Sequence, residues 1–233
     1  MTNDALRDAL DRFTRVADRP GEYSFPFLDL LPASGAAVST LGDFLGNETV
    51  SATDPTAARL DELQFDLGEG PCWTSLAHRV PVLMDARAGG QEWPMFREAL
   101  VSDAVAGGVA AMFAFPLAIG ALDIGAIDLY SGDPRPLSPE LMAEASSLAD
   151  VAAWQVLRSI LDDPAQGYDA ESIGYSRREV HQATGMIIVQ LGVTPEDAEL
   201  LLRAHAFAGG RTVREVAKDV VDRRLDFATR GTD

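Results

Sequence analysis

Hydrophobic positions recur with helical spacing at the start of the chain. In residues 4–18, Leu6, Leu10 and Phe13 follow one another at intervals of four and three, which predicts an amphipathic helix. Arg19-Pro20-Gly21 ends this pattern, because proline and glycine do not continue a helix.

Between residues 36 and 161, short apolar runs alternate with longer amphipathic ones. The short runs are typical of buried strands and span residues 36–41, 49–52, 80–84, 109–119 and 124–130. The amphipathic runs predict helices from Pro55 onwards, from Pro71 to about His78, over residues 93–101 and over residues 138–161. This order predicts an α+β fold in which helices flank an antiparallel sheet.

From about residue 172 onwards every predicted element is a helix, and the first spans about residues 176–191. The residues that stop or cap these helices are Gly192, Thr194, Gly209, Gly210 and Thr212, and Glu215 completes a capping box with the last. Three helices with short loops predict a compact bundle. Its core would be small, so a dimer would help to stabilise it.

Residues 162–167, Asp-Asp-Pro-Ala-Gln-Gly, interrupt the helical pattern between these two regions. Proline and glycine there predict a linker, which gives an N-terminal domain of residues 1–162, a linker of residues 163–171 and a C-terminal domain of residues 172–233.

Stripes with coiled-coil spacing lie on both sides of this break. They are Leu141, Ala145, Leu148, Ala152 and Gln155 before it, and Ile173, Val180, Ile187 and Leu191 after it. The second stripe predicts a short coiled coil. The first stripe either pairs with a second chain or packs on its own sheet.

Charge separates the two regions further. The net charge is −17, and residues 1–171 hold 27 acidic and 10 basic residues, whereas residues 172–233 hold nine of each. A nucleic acid would be repelled by the first region and would approach only the second. A generally acidic set of cellular proteins would explain the same excess.

Several classes of protein are disfavoured by the sequence. Cys72 is the one cysteine, so an internal disulfide is excluded. The first ten residues lack a basic stretch followed by an apolar one, so we expect no signal peptide. The uncharged run of residues 104–122 approaches the length of a bilayer span, but its glycines and proline favour two buried strands. We therefore expect a cytoplasmic protein.

The N-terminal region resembles a GAF domain. The resemblance rests on Leu67-Gly68-Glu69-Gly70-Pro71-Cys72, on Val80-Pro81-Val82, and on the two strands at residues 113–117 and 125–129. It covers most of residues 20–160 and implies a small-molecule sensor and dimer scaffold. The cyclic-nucleotide signature of the family requires a lysine, which this region lacks.

The resemblance also implies a ligand pocket between the sheet and the neighbouring helices. By position, its lining would include Trp73, His78, Met112, Phe113 and Phe115. The competing interpretation is that the apolar members of this set are core residues.

Cys72 lies beside the start of a predicted helix, which would lower the pKa of its thiol and favour a redox role. The carboxylates of Asp61, Glu62, Asp66 and Glu69 would oppose a thiolate. Both interpretations remain open from the sequence.

The C-terminal region resembles the ANTAR domain of bacterial transcription antitermination regulators. The resemblance rests on residues 182–187 (Gln-Ala-Thr-Gly-Met-Ile), 191–193 (Leu-Gly-Val), 202–206 (Leu-Arg-Ala-His-Ala), 210–217 (Gly-Arg-Thr-Val-Arg-Glu-Val-Ala) and 220–221. It implies that a homodimer binds tandem RNA hairpins and thereby prevents a terminator from forming.

Carried over by position, the residues that would face a hairpin loop are Gln182, Ala183, Thr184 and Gly185. The residues that would contact phosphates or stack on bases are Arg203, Arg211, Arg214 and Lys218. The family more often has lysine where this chain has Thr184. Tight helix packing by the small residues, ion pairs of the basic ones, and a core role for His205 are the competing interpretations.

The sequence therefore predicts a ligand- or signal-responsive antitermination regulator that binds hairpin RNA. The alternative is a DNA-binding regulator, because the last two predicted helices resemble a helix-turn-helix, although Glu215, Asp219 and Asp222 disfavour DNA phosphates. No metal-ligand cluster, phosphate loop or nucleophile motif is evident, so we expect neither a metal site nor an enzyme.

Overall fold

The structure, a computed structural model, describes residues 2–42, 45–88, 90–162 and 177–228. They form two compact units, Met1–Tyr175 and Ser176–Asp233. The predicted linker, residues 163–171, lies outside the described residues. Within the described residues, no helix has the length and apolar character that a membrane span requires.

The first unit contains six α-helices, one short 3₁₀ helix (Pro20–Glu22) and five strands among its described residues. The helices are α1 (Thr2–Arg15), α2 (Phe25–Leu30), α3 (Pro55–Leu67), α4 (Pro71–His78), α5 (Pro94–Ser102) and α6 (Pro139–Asp162). The strands are β1 (Gly35–Thr40), β2 (Glu48–Ala52), β3 (Val82–Asp85), β4 (Ala111–Ile119) and β5 (Leu122–Ser131). Asp54 caps α3, since its side chain accepts hydrogen bonds from the backbone N–H groups of Thr56 and Ala57.

The five strands form one antiparallel sheet in the order β2-β1-β5-β4-β3. The predicted α+β architecture is confirmed. Gly125 marks a close approach of β5 to β1, because a Cβ at this position would lie 1.8 Å from the Ser39 carbonyl oxygen. Only glycine permits that pairing.

Helices cover both faces of the sheet. On one face, α1, α2 and α6 enclose the main core, to which β4 contributes Phe113 and Phe115. On the other face, α3, α4 and α5 form two smaller cores, and Met112 of β4 belongs to one of them. The alternation follows from the period of two along a strand.

The apolar stripe of α6 packs on the sheet of its own unit, which was one of the two alternatives left open by the sequence. Ala145, Leu148 and Ala152 are fully buried against the sheet of their own unit. The stripe therefore serves the core of the first unit and is not available to a second chain.

The second unit is a three-helix bundle of α7 (Arg178–Leu191), α8 (Pro195–Ala208) and α9 (Val213–Val221). The predicted caps are confirmed: Gly192 is left-handed at the end of α7, the Thr194 hydroxyl caps α8, and Thr212 and Glu215 form a capping box on α9. Each helix contributes alanines and branched apolar residues to one core.

The predicted coiled coil after the break is wrong for Val180 and Ile187, whereas Leu191, the last residue of α7, is 38% exposed. Val180 and Ile187 are buried in the core of the bundle, so their seven-residue spacing reflects packing on α8 and α9. Ile173, the predicted start of that coiled coil, lies outside the described residues.

Candidate functional site

The five residues predicted to line a ligand pocket do not converge on one place. Phe113 and Phe115 are buried in the core on the α6 face, whereas Met112 is buried on the opposite face. His78 is exposed at the last position of α4. Phe113 and Phe115 therefore cannot share a pocket with Met112, because neighbouring residues of a strand point to opposite faces of the sheet. The ligand-binding role of the five residues stays a prediction.

Trp73 is part of a clasp centred on Gln64. The indole Nε1 of Trp73 donates to the Gln64 carbonyl oxygen at 2.9 Å, and the Cys72 backbone N–H donates to Gln64 Oε1 at 2.9 Å. The Gln64 side chain, fully buried, in turn donates from Nε2 to Asp128 Oδ2 on β5 at 2.9 Å. Gln64 thus ties the loop before α4 to the sheet.

The glycines and the carboxylate of that loop have structural explanations. Gly68 ends α3 in the left-handed conformation, with φ +65°. At Gly70, with φ +142°, a Cβ would lie 2.5 Å from Gln64 Oε1. Glu69 accepts a hydrogen bond from the Phe96 backbone N–H at 2.7 Å, and so caps the first turn of α5, whose N-cap residue Trp93 makes no side-chain cap.

A buried carboxyl group lies at the end of this clasp. Asp128 is 5% exposed, and its Oδ1 has no hydrogen-bond partner among the described residues. Burial raises the pKa of the Asp128 carboxyl well above its ordinary value, and the negative charge of nearby Asp61 raises it further. Asp61 is itself fully buried and accepts a short hydrogen bond from the Thr49 hydroxyl. Asp128 is therefore a neutral acid over a range of pH in which an exposed aspartate is ionised.

Cys72 does not have the properties of a redox thiol. Its side chain is 1% exposed, and burial raises the pKa of the thiol well above its usual value, as do the charges of Asp128 and Asp61. The expectation that the start of α4 lowers this pKa is wrong, because desolvation outweighs the helix dipole in a buried site. Asp61 is one of the four acidic residues predicted to oppose a thiolate, and its negative charge does raise the pKa of Cys72.

In the second unit, the four small or polar residues predicted to face RNA divide into two pairs. Ala183 is fully buried and Thr184 is 7% exposed, with its hydroxyl donating to the Val180 carbonyl oxygen at 2.9 Å. Their side chains serve the helix and the core, which corrects the prediction for this pair. Gln182 and Gly185 are exposed on the side of α7 that points away from the core.

The predicted basic contacts lie on α8, on α9 and in the loop between them, mostly in ion pairs. Arg203 pairs with Glu199 at 3.5 Å, Arg211 with Asp219 at 2.7 Å, and Lys218 with Asp222 at 3.4 Å. Arg214 is half-buried in the first turn of α9. Hydrogen bonds from Arg211 and Arg224 lower the pKa of Asp219, and one from Arg224 lowers that of Asp222.

Two aromatic side chains near the end of α8, those of His205 and Phe207, differ in their burial. The half-buried His205 ring contacts the ring of Phe227 at a centroid distance of 5.5 Å, near the edge of the bundle core. Phe207, two residues later, is 71% exposed. Sequence reasoning missed Phe207, although the helical period places it opposite Ala198 and Leu202 of the core.

Comparison with known proteins assigns a type to each unit. Residues 175–221 match the ANTAR domain family. No curated protein matches the chain at a significant level.

The first unit is similar to two solved GAF domains. One is from a phosphoenolpyruvate-protein phosphotransferase of Coxiella burnetii, with a TM-score of 0.53 and 12% identity over 70% of this chain and 96% of that chain. The other is from an Acinetobacter phosphoenolpyruvate-protein phosphotransferase, with a TM-score of 0.51 and 10% identity over 75% of this chain and 97% of that chain. These similarities identify the fold of the first unit.

Proposed function

We propose that this chain, in which a domain of the GAF fold precedes an ANTAR domain, is a signal-responsive antitermination regulator that binds hairpin RNA as a homodimer. ANTAR and GAF domains are regulatory and sensory, and not catalytic. The RNA partner, the dimer and the response to a signal are the parts of this assignment that experiments must test.

The observation that carries the RNA-binding proposal is Gly185. It lies inside α7, where glycine costs about 1 kcal/mol relative to alanine. Its φ is not positive, and a Cβ there would meet no atom within 4 Å. Stability therefore gives no reason for a glycine at this position. A backbone surface that must be approached closely by a ligand does give one.

Charge restricts where RNA would bind. The excess of acidic residues lies in the first 171 residues, while the remaining 62 carry equal numbers of acidic and basic groups. A polyanion would therefore meet least repulsion at the ANTAR domain. Because that domain is itself neutral overall, the affinity would depend on a few placed side chains and on the presence of two copies.

The homodimer would use the outer face of α6. Along this face lie Ala143, Ser147, Asp150, Trp154, Leu157 and Leu161, alternately four and three residues apart. Trp154 is 61% exposed and Leu161 is 66% exposed, while the opposite stripe of the helix is buried in the sheet. Ser147 and Asp150 are polar, so the apolar part of this stripe is its second half, Trp154, Leu157 and Leu161. Apolar residues at this 4-3 spacing on a long helix are suited to pairing with a second copy.

The sensory role would fall to the helical layer α3–α5. Trp93, Phe96 and Met112 fill this side of the sheet, and Gln64 of α3 is hydrogen-bonded there to Asp128 of β5. A ligand there would have to displace side chains, and it would change the output only by binding one arrangement better than another. Thermal shift of the whole chain against a panel of metabolites would identify such a ligand.

The test of the output is a binding titration of the full chain at fixed salt. The probes are an RNA with two tandem hairpins, the same RNA with one hairpin deleted, and duplex DNA of equal length. We expect the two-hairpin RNA to bind at least about tenfold more tightly than the single hairpin, because two linked sites raise the effective concentration. If the chain binds neither RNA, or if it prefers the duplex DNA, the proposal is overturned. Preference for the duplex DNA would favour a helix-turn-helix function.

A further inference from the structure

The charges of the second unit are segregated along α8. Three acidic residues, Glu196, Asp197 and Glu199, occupy its first turns. The following residues, 200–214, contain three arginines and one histidine and no aspartate or glutamate. In a chain of net charge −17, this segment is a local surface for a polyanion.

Phe207 lies in the middle of that segment. Of the nine phenylalanines whose side chains the structure describes, Phe207 alone is exposed. Its neighbour Ala206 supplies the core contact of this turn, so the Phe207 ring contributes little to the packing of the bundle. An aromatic ring that is 71% exposed has a large surface available to a ligand.

The two nearest arginines bracket this ring along the chain. Arg203 precedes Phe207 by one helical turn on the same side of α8, and Arg211 follows it by four residues, beyond the end of the helix. Arg203 pairs with Glu199, and Arg211 with Asp219, in partly exposed ion pairs. Exposed ion pairs of this kind are weak, so a phosphate can replace either carboxylate.

We propose that Phe207 is a base-stacking residue, whose ring lies against an unpaired base of an RNA hairpin loop while Arg203 and Arg211 bind the flanking phosphates. This inference rests on the proposed RNA-binding function and adds a contact by which unpaired loop bases are recognised. Aromatic side chains stack on any base, and single-stranded loops present bases that are free to do so. A second protein copy fits less well, because the arginines around Phe207 would repel the same arginines of a two-fold partner.

Leu200 provides a matched control. It lies seven residues before Phe207, on the same side of α8, and is 63% exposed. Its surroundings differ, since Glu196 and Glu199 lie within one turn of it. A general apolar contact would involve both residues, whereas base stacking involves Phe207 alone.

The experiment uses the full chain and the two-hairpin RNA, with Phe207→Ala, Phe207→Trp and Leu200→Ala variants. We expect F207A to weaken binding at least about tenfold, which is typical for the loss of one stacked base. F207W should retain affinity and L200A should match the wild type. With abasic hairpin loops, F207A and the wild type should bind equally. Circular dichroism melts of both alanine variants should match the wild type, since both side chains are exposed.

The outcomes separate the two proposals. If the wild type fails to bind any hairpin RNA, the proposed function falls. If the wild type binds but F207A binds equally well, the stacking inference is overturned while the function stands. A change of oligomeric state in F207A with unchanged affinity per chain would instead assign Phe207 to a protein interface, and would also overturn the inference.

Discussion

The Gln64 side-chain amide donates to the carboxyl group of Asp128 across the interface between α3 and β5, at 2.9 Å. The other end of the same amide accepts the backbone N–H of Cys72 at 2.9 Å. One buried side chain thus joins α3, β5 and the first turn of α4, directly after the loop of residues 68–70. The glycine-rich motif of that loop is explained by this clasp, without a ligand.

Gly70→Ala tests the clasp. The added Cβ would meet the Gln64 side chain at 2.5 Å, and the residue would keep a φ of +142° that alanine rarely adopts. We expect a loss of about 2–4 kcal/mol in the free energy of unfolding, measured by urea denaturation.

Gly42→Ala is the control for backbone strain. Gly42 has a φ of +107°, but a Cβ there would meet nothing within 4 Å. The free energy of unfolding of G42A should therefore fall only by the backbone strain, about 1–2 kcal/mol. Equal losses in the two variants would contradict a steric role for the Gln64 contact.

Asp128→Asn tests the buried acid. Because the folded state raises the pKa of Asp128, protonation of this group favours folding. Its contribution is fully present below the unfolded pKa of about 3.9 and is lost as the pH rises towards the folded value. Over that window the loss is about 1.4 kcal/mol per pH unit. Asparagine carries no charge, so D128N should be more stable than the wild type at pH 7–8.

The measurement is urea denaturation of the wild type and D128N from pH 4 to pH 8. The difference between the two should widen in favour of D128N as the pH rises. Asp8→Asn on the exposed side of α1 serves as the control for a lost surface charge. A difference that is independent of pH would mean that Asp128 is ionised in the folded protein.

The sequence was sufficient for the caps and for most of the elements, because those depend on neighbours in the chain, but it did not predict α2. Asp54, Thr194, Thr212 and Glu215 all bond within three residues of themselves, so their roles were predictable. The buried position of Asp128 depends on Gln64, which lies 64 residues away. Nothing in the local pattern distinguishes that aspartate from the exposed ones.

Cys72 should be unreactive in the folded protein. Burial of the side chain and the raised pKa of its thiol both suppress the thiolate. We expect its reaction with a disulfide reagent at pH 8 to be at least about 100-fold slower than in urea, where the thiolate is exposed. The unfolded chain provides the internal control, since its one cysteine must react with one equivalent of the reagent. A native rate close to the unfolded one would restore the redox interpretation.

Trp154→Glu tests the proposed dimer. Because Trp154 is 61% exposed on α6, the change should leave the core intact but place a charge within an apolar interface. Light scattering of the wild type should give twice the chain mass of 24.9 kDa, and W154E should give the single mass.

Val101→Glu controls for a new charge on an exposed apolar residue elsewhere, since Val101 is 87% exposed on α5. That variant should remain dimeric. A monomeric wild type would refute the dimer. Dimeric W154E would instead assign the interface to another surface of the chain.

The candidate site was only partly predictable, for a geometric reason. Four of the predicted RNA contacts were consecutive residues of α7, and four consecutive residues of a helix cannot share one face. The helical period separates Ala183 and Thr184, which pack inward, from Gln182 and Gly185, which point outward. The same kind of reason applies to the residues of β4 that were predicted to line one pocket. Met112 and Phe113 are neighbours in a strand and therefore lie on opposite faces of the sheet.

Gly185→Ala is the variant in which stability and function should move in opposite directions. The space around a Cβ at Gly185 is open, and alanine is the better helix former. The second unit should therefore gain about 1 kcal/mol in its free energy of unfolding. If RNA approaches the backbone of α7 at this position, the same methyl group should weaken binding of the two-hairpin RNA by about tenfold, a change of about 1.4 kcal/mol. Urea denaturation and an RNA titration of one variant measure both quantities. A more stable protein with unchanged affinity would show that Gly185 does not contact RNA, and would remove the observation on which the proposed interface depends.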